Sequence, residues 1–175
     1  MKKILKALSF DGIEVEAARH LASLKAIDPM KIFHKTIDYK IYNGDYEVPV
    51  RIYLPREKVP KDLPVFLFFH GGGWVTDCID NYERICARLA SATEHIVVSV
   101  EYRLAPEHPF PTGFMDCYAV AKAIYTNRFI LNVNPQRITL IGDSAGGNLV
   151  AAVSLKARDD GIFQPKRQIL IYPAV

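Results

Sequence analysis

The stretch of sequence that decides the fold is Ile138-Thr139-Leu140-Ile141-Gly142-Asp143-Ser144-Ala145-Gly146. It runs from a short apolar segment, through Gly-x-Ser-x-Gly, into a pattern with helical spacing. In this context Gly-x-Ser-x-Gly forms a nucleophile elbow, a strained turn that lifts a serine hydroxyl above the edge of a sheet. The glycines of the motif keep side chains away from the neighbouring strand and helix. We therefore predict that Ser144 is a nucleophile at the N-terminus of a helix, whose positive end faces the developing oxyanion.

The segments around this motif alternate between strand and helix patterns. Continuous apolar runs lie at residues 65–69, 96–100, 138–141 and 169–172. Such runs are expected in strands whose two faces are both covered by helices. Helical spacing separates them, at residues 80–92, 114–125 and 144–159. Asp80 and Glu83 stand at capping-box spacing, and Gly161 is the expected C-cap of the last helix.

The N-terminal part of the domain reads differently. Two runs of alternating polarity, at residues 33–41 and 48–54, flank the turn signal Asn43-Gly44-Asp45 and predict an antiparallel hairpin. A hairpin followed by strand–helix alternation predicts an α/β fold, a three-layer sandwich with a mostly parallel sheet.

A run of three glycines follows the first apolar run, in His70-Gly71-Gly72-Gly73-Trp74. Backbone without side chains exposes N–H groups, which are the donors that acyl transfer needs where the tetrahedral oxygen forms. A flexible loop and a phosphate-binding loop are the alternatives. The second alternative lacks both G-x-x-x-x-G-K-[ST] and G-x-G-x-x-G.

Several polar side chains near these motifs are expected to have structural roles. His70 should be a structural hydrogen-bonder rather than a base, and His108 lies in a loop where a catalytic role is not expected. Arg103 and Glu107 are expected to form an ion pair that shapes their loop. The side chain of Asp143 should point away from the nucleophile.

A set of motifs occurs in one order along the chain: His70-Gly71-Gly72-Gly73-Trp74, Tyr102-Arg103-Leu104-Ala105-Pro106-Glu107, Phe110-Pro111, Gly142-Asp143-Ser144-Ala145-Gly146-Gly147-Asn148 and Tyr172-Pro173. The set resembles the hormone-sensitive-lipase-like group of α/β-hydrolase carboxylesterases, over nearly all of the chain after residue 30. The resemblance implies an α/β-hydrolase fold with Ser144 as the nucleophile. It also implies an oxyanion hole built from backbone N–H groups of Gly71, Gly72, Gly73 and Ala145, foremost Gly72 and Gly73 with Ala145.

The same resemblance carries expectations about substrate and domain organisation. It implies a small-molecule ester substrate with a short-to-medium acyl group, and it implies no cofactor and no metal. Residues 1–30, which include an amphipathic pattern at 11–27, match the helical cap segment of the family in position. Residues 31–175 then form a partial α/β-hydrolase domain.

The catalytic triad is incomplete in this sequence. In α/β-hydrolases the acid and then the histidine follow the serine. After Ser144 the sequence offers Asp159 and Asp160 and no histidine, and both acids lie roughly four helical turns away. We therefore expect the chain to be a fragment, inactive alone, that lacks the triad acid and histidine. Its last apolar strand is expected to form an exposed edge that favours homo-oligomers.

Composition and charge limit the functional classes and locations that the sequence is compatible with. The net charge of +3, without a block of like charges, gives no indication of nucleic-acid binding. No apolar stretch approaches the ~20 residues of a membrane span. Cys78, Cys86 and Cys117 show no C-x-x-C spacing, so we expect free thiols and a cytoplasmic location.

Two alternatives to an esterase stay open. The first is a non-catalytic module that binds a small molecule. Plant gibberellin receptors resemble this family in fold and in several of these motifs but have lost the catalytic histidine. An inactive remnant that self-associates through its exposed edge is the other.

Overall fold

The computed structural model describes residues 15, 16, 19, 36–56, 62–126, 129–131 and 133–175. Within these residues, one sheet has the strand order β1-β2-β4-β3-β5-β6. Its strands are β1 (Thr36–Tyr42), β2 (Glu47–Tyr53), β3 (Val65–Phe69), β4 (Ile96–Val100), β5 (Ile138–Asp143) and β6 (Arg167–Ile171). The helices between them are α1 (Ile79–Thr93), α2 (Thr112–Tyr125) and α3 (Ala145–Asp160).

The predicted hairpin and the mostly parallel sheet are both confirmed. Strands β1 and β2 pair antiparallel, and β2 joins β4 antiparallel. The side-chain oxygen of Asn43 closes the hairpin turn by accepting from the N–H groups of Asp45 and Tyr46 at 3.1 and 2.9 Å. From β4 through β3 and β5 to β6 every pairing is parallel. Residues 33–35, the start of the predicted first strand, lie outside the described residues.

The sheet separates two apolar cores, which explains the continuous apolar runs. In β3, Leu67 and Phe69 enter the larger core with side chains of α2 and α3, whereas Phe66 and Phe68 enter the smaller core with α1. Successive side chains of a strand point to opposite faces, so a strand between two cores is apolar at every position. The result is the predicted three-layer sandwich.

Helix α1 begins by a different device from the predicted capping box. Its N-cap is Cys78, and no side chain of the helix start makes a cap hydrogen bond. Instead the carboxylate of Glu101, just after β4, accepts from the Ile79 N–H at 2.6 Å. Burial raises the pKa of Glu101. Asp80 lies in the first turn and binds Arg51. The predicted C-cap of α3 is correct, since Gly161 adopts the left-handed conformation with φ 65°.

The predicted ion pair between Arg103 and Glu107 is wrong. Arg103 binds the buried carboxylate of Asp116 on α2. Glu107 instead accepts two hydrogen bonds at 2.9 Å from the guanidinium of Arg19. Asp116 lies 13 positions from Arg103 and Arg19 lies 88 positions from Glu107, so proximity along the chain was a poor guide to pairing.

Only part of the N-terminal segment is described. Val15, Glu16 and Arg19 are helical, and Val15 is buried. The rest of the predicted helix at 11–27 and of the cap segment at 1–30 lies outside the described residues. Among the residues that are described, no helix is both long and apolar enough to cross a bilayer.

Strand β6 forms the exposed edge that the sequence predicts. Ile169, Leu170 and Ile171 keep 41, 39 and 36% of their surface exposed. Among the described residues, β6 pairs only with β5. An apolar strand with one open edge and exposed side chains is a site where another strand can pair.

Candidate active site

Ser144 occupies a strained turn between β5 and α3. Its backbone angles are φ 50° and ψ −117°, a region that non-glycine residues rarely adopt. Three hydrogen bonds hold it there. The Ser144 N–H donates to the Ile171 carbonyl at 2.9 Å, and the Ser144 carbonyl accepts from the N–H groups of Asn148 and Ala174 at 3.1 and 3.0 Å. The side chain is partly exposed. This is the strand-turn-helix geometry predicted for the motif.

The glycines of the motif allow the elbow to touch the end of β3. A Cβ on Gly146 would lie 2.0 Å from the Phe69 carbonyl oxygen and 2.6 Å from that of His70. A Cβ on Gly142 would lie 2.7 Å from the same Phe69 oxygen. Real side chains cannot come so close to backbone. Both positions therefore require glycine. Because neither has a side chain, the elbow can pack directly against the segment where the glycine loop begins.

The three glycines of the loop differ in what they do. Gly72 has φ 106°, and a Cβ there would lie 2.2 Å from the Thr76 carbonyl oxygen. The Gly72 carbonyl accepts from the N–H groups of Val75 and Thr76 at 3.1 and 2.9 Å, closing a tight turn. Gly73 has φ 62° and open space around it. Within the described part of the chain, no acceptor binds the N–H of Gly72 or Gly73.

Gly71 differs from the expectation that it belongs to the oxyanion hole. Its N–H donates to Asp143 Oδ1 at 3.0 Å and lies 3.2 Å from the hydroxyl of Tyr82. The Tyr82 hydroxyl in turn donates to Asp143 Oδ2 at 2.8 Å. An N–H that already binds a carboxylate is not free to bind an oxyanion. Asp143 lies in the motif that the sequence singled out, but no sequence signal pointed to Tyr82.

Ala145 supplies a further amide beside the serine. It is the first residue of α3 and is buried. The first N–H groups of a helix have no acceptor within the helix, and the helix dipole makes that end positive. The amide of Ala145 can therefore donate a hydrogen bond to an anion beside Ser144, and its membership of the oxyanion hole stays a prediction.

His70 has the structural role expected of it. The side chain is fully buried, its ring stacks on that of Tyr102 at 4.3 Å, and Nδ1 lies 2.8 Å from the Gly71 carbonyl oxygen. Burial lowers the pKa of His70, so the ring is neutral and Nδ1 donates to that carbonyl. The Tyr102 hydroxyl donates to the His70 carbonyl at 2.8 Å. His70, which begins the loop, is thus held both through its ring and through its backbone carbonyl.

A cavity of about 620 Å³ joins the glycine loop to the helix after Ser144. Its volume is within the ordinary range of small-molecule sites. Aromatic and aliphatic side chains dominate its wall, and its polar members include Thr76, Arg103, His108 and Asn148. The lining includes Gly72, Gly73, Trp74, Val75, Ala105, Phe110, Phe114, Leu149 and Ala152.

The two acids that follow Ser144 lie far from it. Asp159 pairs with Arg158, and Asp160 accepts from the Tyr118 hydroxyl and from Lys156. Both sit at the end of α3, whose 16 residues correspond to about 24 Å. This placement agrees with the expectation that neither serves the serine.

Comparison with known proteins gives the family. A sequence profile of the alpha/beta hydrolase fold matches residues 66–175. The carboxylesterase NlhH of Mycobacterium tuberculosis is 40% identical over 167 residues, which cover 93% of this chain and 51% of NlhH. An arylesterase of Saccharolobus solfataricus is 40% identical over 151 residues, 86% of this chain and 48% of that enzyme.

The solved structures agree. The hyperthermophilic esterase of Pyrobaculum calidifontis superposes with a TM-score of 0.81 at 37% identity, over 99% of this chain and 56% of that one. The chain thus spans about half the length of the relatives it matches. With the elbow at Ser144, the glycine loop packed against it and these similarities, the chain belongs to the hormone-sensitive-lipase-like family of α/β-hydrolases.

Proposed function

We propose that this chain provides the nucleophile and the oxyanion hole of a serine carboxylic-ester hydrolase. The observation that carries the proposal is the strained conformation of Ser144, at the N-terminus of α3 and against the end of β3. A turn of this kind is costly and persists where the surrounding structure over-determines it, which is typical of functional sites.

In the proposed reaction, Ser144 Oγ attacks the ester carbonyl and forms an acyl-enzyme as the alcohol leaves. The amides of Gly72, Gly73 and Ala145 stabilise the negative oxygen of the tetrahedral intermediate. Gly71 drops out of the expected set because its N–H is bound by Asp143. A base must take the serine proton, since a serine hydroxyl is a weak nucleophile on its own. We propose that a histidine and an acidic residue from outside these 175 residues provide this base. Water then hydrolyses the acyl-enzyme and releases the carboxylic acid product.

The cavity supports an ester with a short-to-medium acyl group as the substrate. Most of its wall is apolar, and it contains Gly72 and Gly73, two of the proposed oxyanion donors. An acyl chain bound in this cavity would contact Leu149 and Ala152 of α3. The esterases among the relatives act on the same bond.

The N-terminal segment is proposed to form a cap beside this cavity, with residues 31–175 as the hydrolase domain. Arg19 Nε donates to the Val75 carbonyl at 2.9 Å, and Nη2 donates to the Ala105 carbonyl at 3.2 Å. Val75 and Ala105 both line the cavity. This anchor places a helical residue of the segment at the rim of the site.

A cytoplasmic location is proposed from the unpaired Cys78, Cys86 and Cys117.

The test compares the chain with a fusion in which the C-terminal half of NlhH follows residue 175. We expect negligible hydrolysis of p-nitrophenyl acetate or butyrate by the chain alone, and measurable hydrolysis by the fusion. Ser144→Ala in the fusion should abolish turnover, and Ser154→Ala on the same helix serves as its matched control. Turnover that survives Ser144→Ala would refute the assignment of the nucleophile.

Self-association is a second candidate behaviour, favoured by the exposed apolar edge at β6. A second copy of the chain could pair its own β6 there and cover both open edges at once. This behaviour is compatible with an incomplete esterase and does not compete with the assignment of Ser144.

A further inference from the structure

We propose that Asp143 is a positioning residue that holds the glycine loop against the nucleophile elbow, with Tyr82 fixing the orientation of its carboxylate. The inference rests on the proposed function, because it assigns Asp143 the task of placing the oxyanion donors. It divides the three glycines into one that anchors the loop, Gly71, and two that present amides, Gly72 and Gly73.

The geometry of the carboxylate carries the first step. Asp143 is the last residue of β5 and keeps only 8% of its surface exposed. One oxygen accepts from the Gly71 N–H at 3.0 Å and the other from the Tyr82 hydroxyl at 2.8 Å. Hydrogen bonds to a carboxylate are among the stronger ones in proteins. The bond therefore ties residue 71 to residue 143 across a gap of 72 positions.

The second step of the argument is that position 71 has no side chain. A Cβ on Gly71 would lie 2.5 Å from Asp143 Oδ2 and 3.1 Å from the Tyr82 hydroxyl. Any side chain there would push the carboxylate away from the loop. Glycine at this position thus makes room for Asp143, whereas Gly72 serves the turn that its φ of 106° requires.

The third step of the argument is the position of the hydrogen bond between Asp143 and Gly71. Asp143 immediately precedes Ser144, and Gly71 immediately precedes Gly72, so one hydrogen bond connects the residues next to the nucleophile and next to the proposed donors. Hydrogen-bond donors act on an oxyanion only when held within a few tenths of an ångström of its position. A loop with two adjacent glycines has little stiffness of its own. The Asp143 carboxylate adds a constraint between the loop and the elbow, beside the turn that the Gly72 carbonyl closes within the loop.

The first test needs no catalytic activity. Amide hydrogen exchange of Gly71, Gly72 and Gly73 is measured by NMR in the 175-residue chain. We expect a slowly exchanging Gly71 amide, and an increase in its exchange rate of at least about tenfold in Asp143→Ala. Tyr82→Phe should give a smaller increase, and Asp143→Asn an intermediate one because an acceptor oxygen remains. Asp159→Asn and Tyr172→Phe are the controls. A fast Gly71 amide in the parent chain, or one unchanged in all three variants, would overturn the proposal.

The second test uses the fusion with the C-terminal half of NlhH. Loss of oxyanion-hole geometry lowers kcat, so we expect Asp143→Ala to lower it by about 10- to 100-fold with KM within about twofold. Asp143→Asn should restore part of the loss. A raised KM with unchanged kcat would contradict a positioning role. A fusion that is inactive with the parent sequence counts against the proposed function, while the exchange measurement still decides whether Asp143 holds the loop. If Asp143→Ala fails to fold, Asp143→Asn and Tyr82→Phe decide both tests.

Discussion

The guanidinium of Arg103 binds the carboxylate of Asp116 through two nitrogens, with Nε at 2.9 Å from Oδ2 and Nη2 at 2.8 Å from Oδ1. Asp116 is fully buried, and the backbone N–H of Arg103 donates to the same carboxylate at 3.1 Å. This pair joins α2 to the loop after β4, which borders the cavity. Hydrogen bonding to Asp116 raises the pKa of Arg103 further.

Removing Asp116 is expected to destabilise the fold strongly. Asp116→Ala leaves a mostly buried guanidinium without its main partner, and breaking such pairs costs about 3–5 kcal/mol. Asp45→Ala is the matched control, because the Asp45 carboxylate is 76% exposed and 3.5 Å from the same guanidinium; we expect a change within about 1 kcal/mol. Urea unfolding measures both. Equal losses in the two variants would contradict the buried pair.

Gly146→Ala, in the first turn of α3, should be far more damaging than an alanine at Gly161, at the opposite end of the same helix. The added Cβ meets backbone oxygens of Phe69 and His70, neither of which can turn aside. We expect a loss above about 3 kcal/mol, or no folded protein, since overpacking typically costs about 1–3 kcal/mol where side chains can adjust. Gly161→Ala has open space, and its positive φ costs about 1–2 kcal/mol. Circular dichroism and urea unfolding rank the two variants, and the reverse order would refute the close approach.

The Arg19–Glu107 contact predicts a pH dependence at the rim of the cavity. The Arg19 guanidinium lowers the pKa of Glu107 to about 2, against about 4.3 in an unfolded chain. The contribution of this contact is present above about pH 4.3 and is lost as the pH falls through about 2. Side-chain carboxyl titration by NMR should show this low pKa, and it should return towards about 4.3 in Arg19→Ala. Identical titration curves in the two proteins would show that the contact is absent.

Self-association through β6 should respond to charge at its exposed positions. We expect a dimer or larger species in light scattering, and a shift to monomer in Ile169→Lys, because lysine on an edge strand opposes pairing. Leu155→Lys is the control, since Leu155 is a 52% exposed apolar residue on α3 and not part of β6. A monomeric parent chain, or equal masses in the parent chain and Ile169→Lys, would exclude this edge as the interface.

Much of the fold was predictable because the signals were local. The run at 138–141, the Gly-x-Ser-x-Gly turn and the helix after it are adjacent in sequence, and each of them has a characteristic pattern. Long-range partners of polar side chains were not predictable in this way. Arg103 and Glu107 are close in the chain, yet each binds a residue that the topology brings from elsewhere.

The candidate site shows the same division. Its motifs identified Ser144 and the glycine loop, but could not separate the tasks of three identical residues. That separation depends on which carbonyl or carboxylate lies within 3 Å of each position, as at Gly71 and Gly72. The role of Tyr82 depends on how α1 crosses the end of β5, which no pattern in its own helix specifies.

The backbone of Ser144 is hydrogen-bonded to Ile171, the last residue of the edge strand, through its carbonyl, and to Ala174 in the segment after that strand, through its N–H. Asn148 strengthens the link by donating from its side-chain amide to the Ala174 carbonyl at 3.0 Å. These hydrogen bonds are direct, so a displacement of β6 is expected to reach the backbone of Ser144 without passing through any other residue.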